Sequence, residues 1–479
     1  MGSLVDPVAS LLPPELVEKI FRLCVPTGHT HLPLTEVLLG CRDGSGHNTT
    51  TEAPVLLCRV SKDWKDFVYS CPSLWANICA HSRPAFGNLD SLNAWLARSK
   101  SFPLTVCLNL IFTNDADAFT TLFTHSARIR SLRLINTVGG DVSSDFTSAL
   151  PFTQLEAFSI QSPAIMTHYP NLLKTVSPIL LSAPRLHDVK WAFDECPSPL
   201  LTIGSQIKKL DLTSFQTTSE ISDILRAFPH LVELSVNQHS WITEPTPRRN
   251  QDVVVLADLK TLHTSQFAMP GFVAPVLRSF GFNGHDGHLP NLISFLRHSP
   301  HLDDVTLSLQ LDPRADLTEL LSSIQSISQL EINFGTFNPS AITHQTLAAL
   351  TYAQGDQNIC MLPNLQRLEL NGSHPWLPGQ PLFRIQEDLV MSMLESRCRA
   401  PLSSRSADPR PHSPSSLESF VLNKSGTVKP DTMLRLEPLR ERGLVLHVAD
   451  PTPYPLNPPP NLPRSTDRYT YSVHPLFTS

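Results

Sequence analysis

The chain lacks a C-x-x-C pair, a Walker loop, a G-x-G-x-x-G turn, a G-x-S-x-G elbow and an H-E-x-x-H helix. Each absence removes a chemistry that depends on that spacing: paired thiols, phosphate cradles, dinucleotide turns, serine nucleophiles and metalloprotease zinc. No basic excess exists, because Lys+Arg 37 against Asp+Glu 43 leaves a net charge of −6. Neither nucleic acid nor an anionic membrane surface is therefore an expected partner. Long apolar runs are missing too, and none approaches the ~18 residues of a spanning helix. Charge is scarce at 17% while the hydrophobic share of 41% is ordinary, a combination that excludes a disordered chain. Glycine is sparse at 19 residues and proline abundant at 43, so the chain is punctuated often but not by flexible hinges. A length of 479 residues fits either a few domains or one elongated array.

The cysteines are odd in number (9) and widely spaced, and MGSLVDPVASLL carries no basic n-region. Asp6 stands where a myristoylation motif wants Ser or Thr. These features predict reduced, buried thiols in a reducing compartment, cytoplasmic and/or nuclear. Cys24, His29, His31, Cys41, His47 and Cys58 gather near the N-terminus, but without the paired short spacing of a zinc site, so no metal is expected. His and Asp residues fall at scattered, loop-like positions with no paired nucleophile. The expectation is a non-catalytic chain with no cofactor.

What the sequence does contain is a repeat. The template apolar-x-x-apolar-x-apolar recurs at Ile129-Arg-Ser-Leu132-Arg-Leu134, Leu155-Glu-Ala-Phe158-Ser-Ile160, Leu186-His-Asp-Val189-Lys-Trp191 and Ile207-Lys-Lys-Leu210-Asp-Leu212. It continues at Leu231–Val236, Leu277–Phe282, Leu302–Leu307, Ile327–Ile332, Leu365–Leu370 and Leu417–Leu422, with a degraded copy at Leu259-Lys-Thr-Leu262-His-Thr264. First positions are spaced 26, 31, 21, 24, 28, 18, 25, 25, 38 and 52 residues apart. Two apolar residues separated by one polar residue share a face of a short strand. Apolar helical stretches ending at Pro184, Pro229 and Pro300 precede several copies, and proline both stops a helix and starts a turn. A helix–turn–strand unit of that length cannot bury its apolar face alone, so successive units must stack.

This pattern resembles a leucine-rich repeat array over 127–448. The resemblance implies an α/β solenoid with a curved parallel sheet inside and helices outside. The Asn or Cys that the family carries three residues after the last apolar position is mostly absent, with Thr137, Pro163 and Ser373 in its place, which predicts an irregular array. In that arrangement the residue between the two inward strand positions faces the concave surface. The row includes Arg133, Lys190, Asp211, His263, Glu331 and Glu369, basic near the start and acidic near the end. These are the candidate substrate-binding residues.

The N-terminal region has a different grammar. Leu12-Pro-Pro-Glu-Leu-Val-Glu-Lys-Ile-Phe-Arg-Leu-Cys24 opens with prolines at a permitted helix start. Leu16, Ile20 and Leu23 make one stripe and Val17 and Phe21 a second. After a polar loop, residues 53–68 read as two short helices with Ser61 as N-cap, and Leu56, Val60, Trp64 and Phe67 recur at helical spacing. Leu74 and Trp75 follow the third helix. A unit this small can bury only about 60% of its surface, which predicts apolar surface left either for another molecule or for the repeat array to cover.

The order Leu-Pro-x-Glu-Leu, Ile-Phe, Val-Ser-Lys-x-Trp, Leu-Trp resembles the F-box, in the form common in fungal proteins with divergent repeats behind it. The resemblance implies that Pro13, Leu16, Ile20, Phe21, Leu57, Val60, Trp64, Leu74 and Trp75 dock a Skp-type adaptor, and through it a cullin ubiquitin ligase. The expected organisation is an N-terminal tail (1–10), an F-box domain (11–80), a connecting helical segment (81–126), the repeat array (127–448, with a Ser/Pro-rich insertion at about 400–415) and a Pro-rich disordered tail (449–479). The expected function is the substrate-recognition subunit of a ubiquitin ligase. The alternative is a repeat scaffold that binds partners without directing ubiquitination.

Overall fold

In a computed structural model of the protein, the residues described are 12–24, 54–80, 89–109, 116–135, 151–161, 170–193, 196–213, 218–237, 253–265, 272–285, 289–310, 317–334, 344–351, 361–371, 387–398, 417–423 and 430–449. The N-terminal tail, the 25–53 loop with His29, His31, Cys41 and His47, the 400–415 insertion and the tail beyond 449 lie outside them.

The molecule is α/β, built on one 14-stranded parallel sheet whose strands follow in chain order. These are β1 (Asn77–Ala80), β2 (Leu104–Asn109), β3 (Ile129–Ile135), β4 (Ala157–Gln161), β5 (Asp188–Trp191), β6 (Lys209–Thr213) and β7 (Glu233–Asn237). β9 (Thr261–Ser265), β11 (Ser279–His285), β12 (Asp304–Gln310), β13 (Gln329–Phe334), β14 (Arg367–Asn371), β15 (Ser419–Asn423) and β16 (Val445–Ala449) complete it. β8 (Val254–Val255) and β10 (Phe272–Val273) pair in a separate two-stranded sheet.

Helices α1 (Pro14–Cys24) and α2 (Lys62–Ser70) precede the sheet. In the connections lie α3 (Leu89–Arg98), α4 (Ala116–Phe123), α5 (Pro170–Leu181), α6 (Ser198–Thr202), α7 (Thr218–Leu225), α8 (Leu289–Leu296), α9 (Thr318–Ser323), α10 (His344–Leu350), α11 (Glu387–Cys398) and α12 (Pro430–Glu441). Parallel neighbours require crossovers, and sequential order with helical crossovers is compatible with a stacked α/β solenoid. α5, α7 and α8 end just before the prolines that predicted their ends.

The template explains the packing position by position. Its first residue is fully buried in Ile129, Leu155, Leu186, Ile207, Leu231, Leu259, Leu277 and Ile327. The carbonyl of the following residue accepts from the next repeat: the Glu156 amide donates to Arg130 O at 2.8 Å, Val232 to Lys208 O at 2.8 Å and Gln366 to Ser328 O at 2.7 Å. The turn into each strand is therefore part of the ladder. The two inward strand residues join the helices in one continuous core, in which Leu132, Leu134, Phe158 and Ile160 share a cluster with Val176, Ile179, Ile221 and Leu225. Each such side chain contributes about 1.5–3 kcal/mol through burial.

The sheet also starts earlier than the repeat count suggests. The segment 81–126, expected as a helical connector, carries β2 as well as α3 and α4, and β1 falls inside the 11–80 segment. Trp75-Ala-Asn-Ile78-Cys-Ala80 is a weak copy of the template, with small Ala80 in the last apolar place, and its register with β2 is regular. Before β2 the register shifts by one residue between Leu104 and Thr105, so the fully buried Leu104 stands opposite the first template residue Ile129.

The asparagine missing from its expected place stands elsewhere. Asn237, Asn283, Asn333, Asn371 and Asn423 each follow directly on the last apolar strand residue, and Asn333, Asn371 and Asn423 are register partners on consecutive strands. At the other end of the array, Gly443 has φ +97°, the left-handed region in which a Cβ is strained.

Candidate functional site

The N-terminal unit is held together by aromatic packing around Phe21. Ser61 caps α2, its Oγ accepting from the Trp64 amide at 3.1 Å, and this places Trp64 and Phe67 on one side of the helix. Phe21 packs against Trp64 at 4.6 Å and edge-on to Phe67 at 5.6 Å between ring centroids. Trp75 closes the other side, with Nε1 donating to the Val68 carbonyl at 2.9 Å. Glu18 locks α1 to the following turn, accepting from Ser73 Oγ at 2.6 Å and pairing with Arg22 at 2.8 Å.

That interior divides the predicted docking residues. Phe21, Leu57, Leu74 and Trp75 are 2%, 7%, 0% and 1% exposed, so they are core residues of the unit and not surface for a partner. The correction has a simple cause: α1 has two stripes, and Val17 with Phe21 is the one that turns inward. Pro13, Leu16, Ile20 and Val60 are exposed and Trp64 is half-buried. The outward stripe of α1 runs Leu16, Ile20, Leu23 at 48%, 45% and 82% exposure, and Leu56 joins Val60 among the exposed aliphatics. Leu23 and Leu56 extend the predicted set, and the i, i+4, i+7 spacing already held the signal for Leu23.

The second predicted group is brought together without exception. Register pairing runs from Arg133 to Ser159, Lys190, Asp211, Ser235, His263, Gly281, Thr306, Glu331 and Glu369, one residue per strand in a single row. The row lies on the face opposite the apolar core, since its neighbours at ±1 are the buried strand residues.

Polar contacts link this row across neighbouring strands and, at Arg367 with Glu369, within one strand. Arg133 donates to Gln161 Oε1 at 2.6 Å, Lys190 lies 3.9 Å from Asp211, Thr306 Oγ1 donates to Glu331 at 3.4 Å, and Arg367 pairs with Glu369 at 3.2 Å. Burial pushes the Asp211 carboxyl above its usual range, against the pull of the Lys190 ammonium and a hydrogen bond from Ser235. Its Oδ1 has no hydrogen-bond partner among the described residues. His263 is exposed, and a Cβ at Gly281 would sit 2.2 Å from its Nδ1, so the glycine makes room for the imidazole over the neighbouring strand.

Asp211, Ser235 and His263 stand on successive strands, but the serine is between the other two, the wrong order for a histidine to relay a proton from it. Among the described residues no group of three or more His, Cys, Asp or Glu side chains is placed to hold a metal ion, and no helix is long and apolar enough to cross a membrane. Cys24, Cys58, Cys71, Cys196 and Cys398 are free thiols, and burial pushes Cys196 up to about 12 and Cys398 to about 11. Compared with models of known protein families and with curated proteins, the chain matches none.

Proposed function

We propose that this chain is the substrate-recognition subunit of a Skp–cullin–F-box ubiquitin ligase, acting in the cytoplasm or nucleus. Its N-terminal unit is read as an F-box that docks a Skp-type adaptor, and its sheet as a divergent leucine-rich-repeat solenoid whose polar row selects a protein substrate. The observation that carries the reading is the Leu16–Ile20–Leu23 stripe. It lies in water on a helix whose other stripe already fills the unit's core. Aliphatic side chains left over after a core is complete are the raw material of a protein interface. The order of anchors from Leu12 to Trp75 supports the adaptor as the partner, and the row from Arg133 to Glu369 supports a polypeptide substrate.

The test is co-expression with a Skp-type adaptor followed by size-exclusion chromatography. The adaptor is expected to co-elute with the native chain and to be lost from a Leu16→Glu, Leu23→Glu variant that keeps its melting temperature. Absence of co-elution with the native chain would leave the repeat scaffold, without a link to ubiquitination, as the function.

A further inference from the structure

Arg98 and Lys65 are the feature of the N-terminal region that the docking reading does not use. Arg98 ends α3 and lies over two rings at once, its Cζ 4.4 Å from the centroid of Tyr69 and 4.5 Å from that of Trp75. Those rings are themselves in contact, at 5.8 Å and 54°. Lys65 reaches the same ring from α2, with Nζ 5.7 Å from the Tyr69 centroid. The two cations also converge on Cys58: burial pushes that thiol up, while Arg98 and Lys65 both pull it down.

A guanidinium held over aromatic rings by cation–π attraction does not need a carboxylate to fix it, which leaves N–H donors available. Neither Arg98 nor Lys65 forms an ion pair or a side-chain hydrogen bond with any described residue, although Arg128, Arg130, Arg133, Arg367, Arg397 and Arg435 all do. Lys65 and Tyr69 are exposed and Arg98 is half-buried, so the cluster opens to solvent. Two positive charges thus meet at one aromatic ring, the arginine seated over a second ring as well, and neither is paired with a carboxylate among the described residues. Holding the fork in place removes much of the ordering cost that binding an anion would otherwise incur.

We infer that Arg98, Lys65 and Tyr69 form an oxyanion site for a phosphate monoester or free phosphate. The guanidinium supplies paired donors to two oxygens, and the ammonium supplies the second charge that a dianion needs. This assignment stands apart from the adaptor reading, since it uses none of the aliphatic stripe.

The experiment titrates inorganic phosphate, and in a second arm O-phosphoserine, into the full-length chain at constant ionic strength, read by calorimetry and tryptophan fluorescence. Saturable one-site binding is expected in at least one arm. It should weaken about tenfold in Arg98→Met, which keeps the apolar stem on the rings, and about threefold in Lys65→Met. Arg98→Lys should fall between the native chain and Arg98→Met. In the O-phosphoserine arm affinity should rise between about pH 5 and 7, as the monoester takes its second charge near pH 6, and in the inorganic phosphate arm the rise should come at higher pH. Non-saturating titrations in both arms would overturn the assignment. So would unchanged affinity in Lys65→Met, a surface variant whose folding is not at issue, together with unchanged affinity in Arg98→Met.

Discussion

In the sheet, the apolar strand residues are sealed: Leu132, Phe158, Leu210, Val305, Leu330 and Leu368 are all at 2% exposure or less. In the N-terminal unit, Leu16, Ile20 and Leu23 stay in water at 45% or more. The two regions draw on the same kinds of side chain and differ in what encloses them. A repeat gains a neighbour on each side, so its inward positions are covered by construction. Among the described residues, the helical unit meets the start of the array through Trp75, which packs against Trp95 of α3 at 5.4 Å. Its opposite stripe has nothing left to cover it among the described residues. Exposure there follows from position in the molecule and not from an incomplete core.

The sharpest way to break this comparison is to exchange the two kinds of apolar residue. Trp75→Ala should cost about 3–5 kcal/mol in chemical denaturation, because it empties a fully enclosed site. Leu16→Ser should stay within about 0.5 kcal/mol of the native chain. Comparable losses from both would erase the distinction between enclosed and surplus surface.

A buried charge tests the array in the same terms. Arg397 is 5% exposed, and its guanidinium donates to the carbonyls of Leu350, Leu362 and Met361 at 2.7, 3.1 and 2.6 Å. Arg397→Met keeps the bulk and strands those carbonyls, for an expected loss on the order of 3 kcal/mol. A neutral result would mean that water replaces the arginine.

The smallest effect has the opposite sign. Thr264 occupies an inward strand position at 3% exposure, and its Oγ1 has no partner among the described residues. Thr264→Val removes an unmet hydroxyl at equal volume and should stabilise by about 1 kcal/mol, read as a rise in melting temperature.

The array was legible because burial on one face imposes period-two alternation, and Arg133 through Glu369 could be placed from the sequence for that reason. β1 and β2 were not, because Ala80 is a poor template residue and the one-residue shift between Leu104 and Thr105 breaks the template spacing ahead of β2. The helical unit was legible in α1, α2 and the Ser61 cap, but the helix expected ahead of Ser61 is a single 3-10 turn at Leu57–Arg59, and the sequence did not tell which stripe of α1 faces in. Periodicity separates Leu16, Ile20 and Leu23 from Val17 and Phe21 without ranking them. The ranking came from Trp64 and Phe67, whose rings claim Phe21. Leu57, Leu74 and Trp75 were misplaced for the same reason, since an anchor for a partner and an anchor for the core have the same composition. The displaced asparagines show a smaller lesson, for a familiar residue was sought at its usual offset and stood two places earlier.

The strands advance by ~4.8 Å each, while the first positions of successive template copies lie 18 to 52 residues apart. The sheet thus behaves as a ruler whose graduations do not depend on how much thread is wound between them. Register is kept between neighbouring strands across every one of those intervals, and Lys190 stands directly opposite Asp211. A ligand spanning that face would read one graduation per strand, blind to the length of chain that separates them.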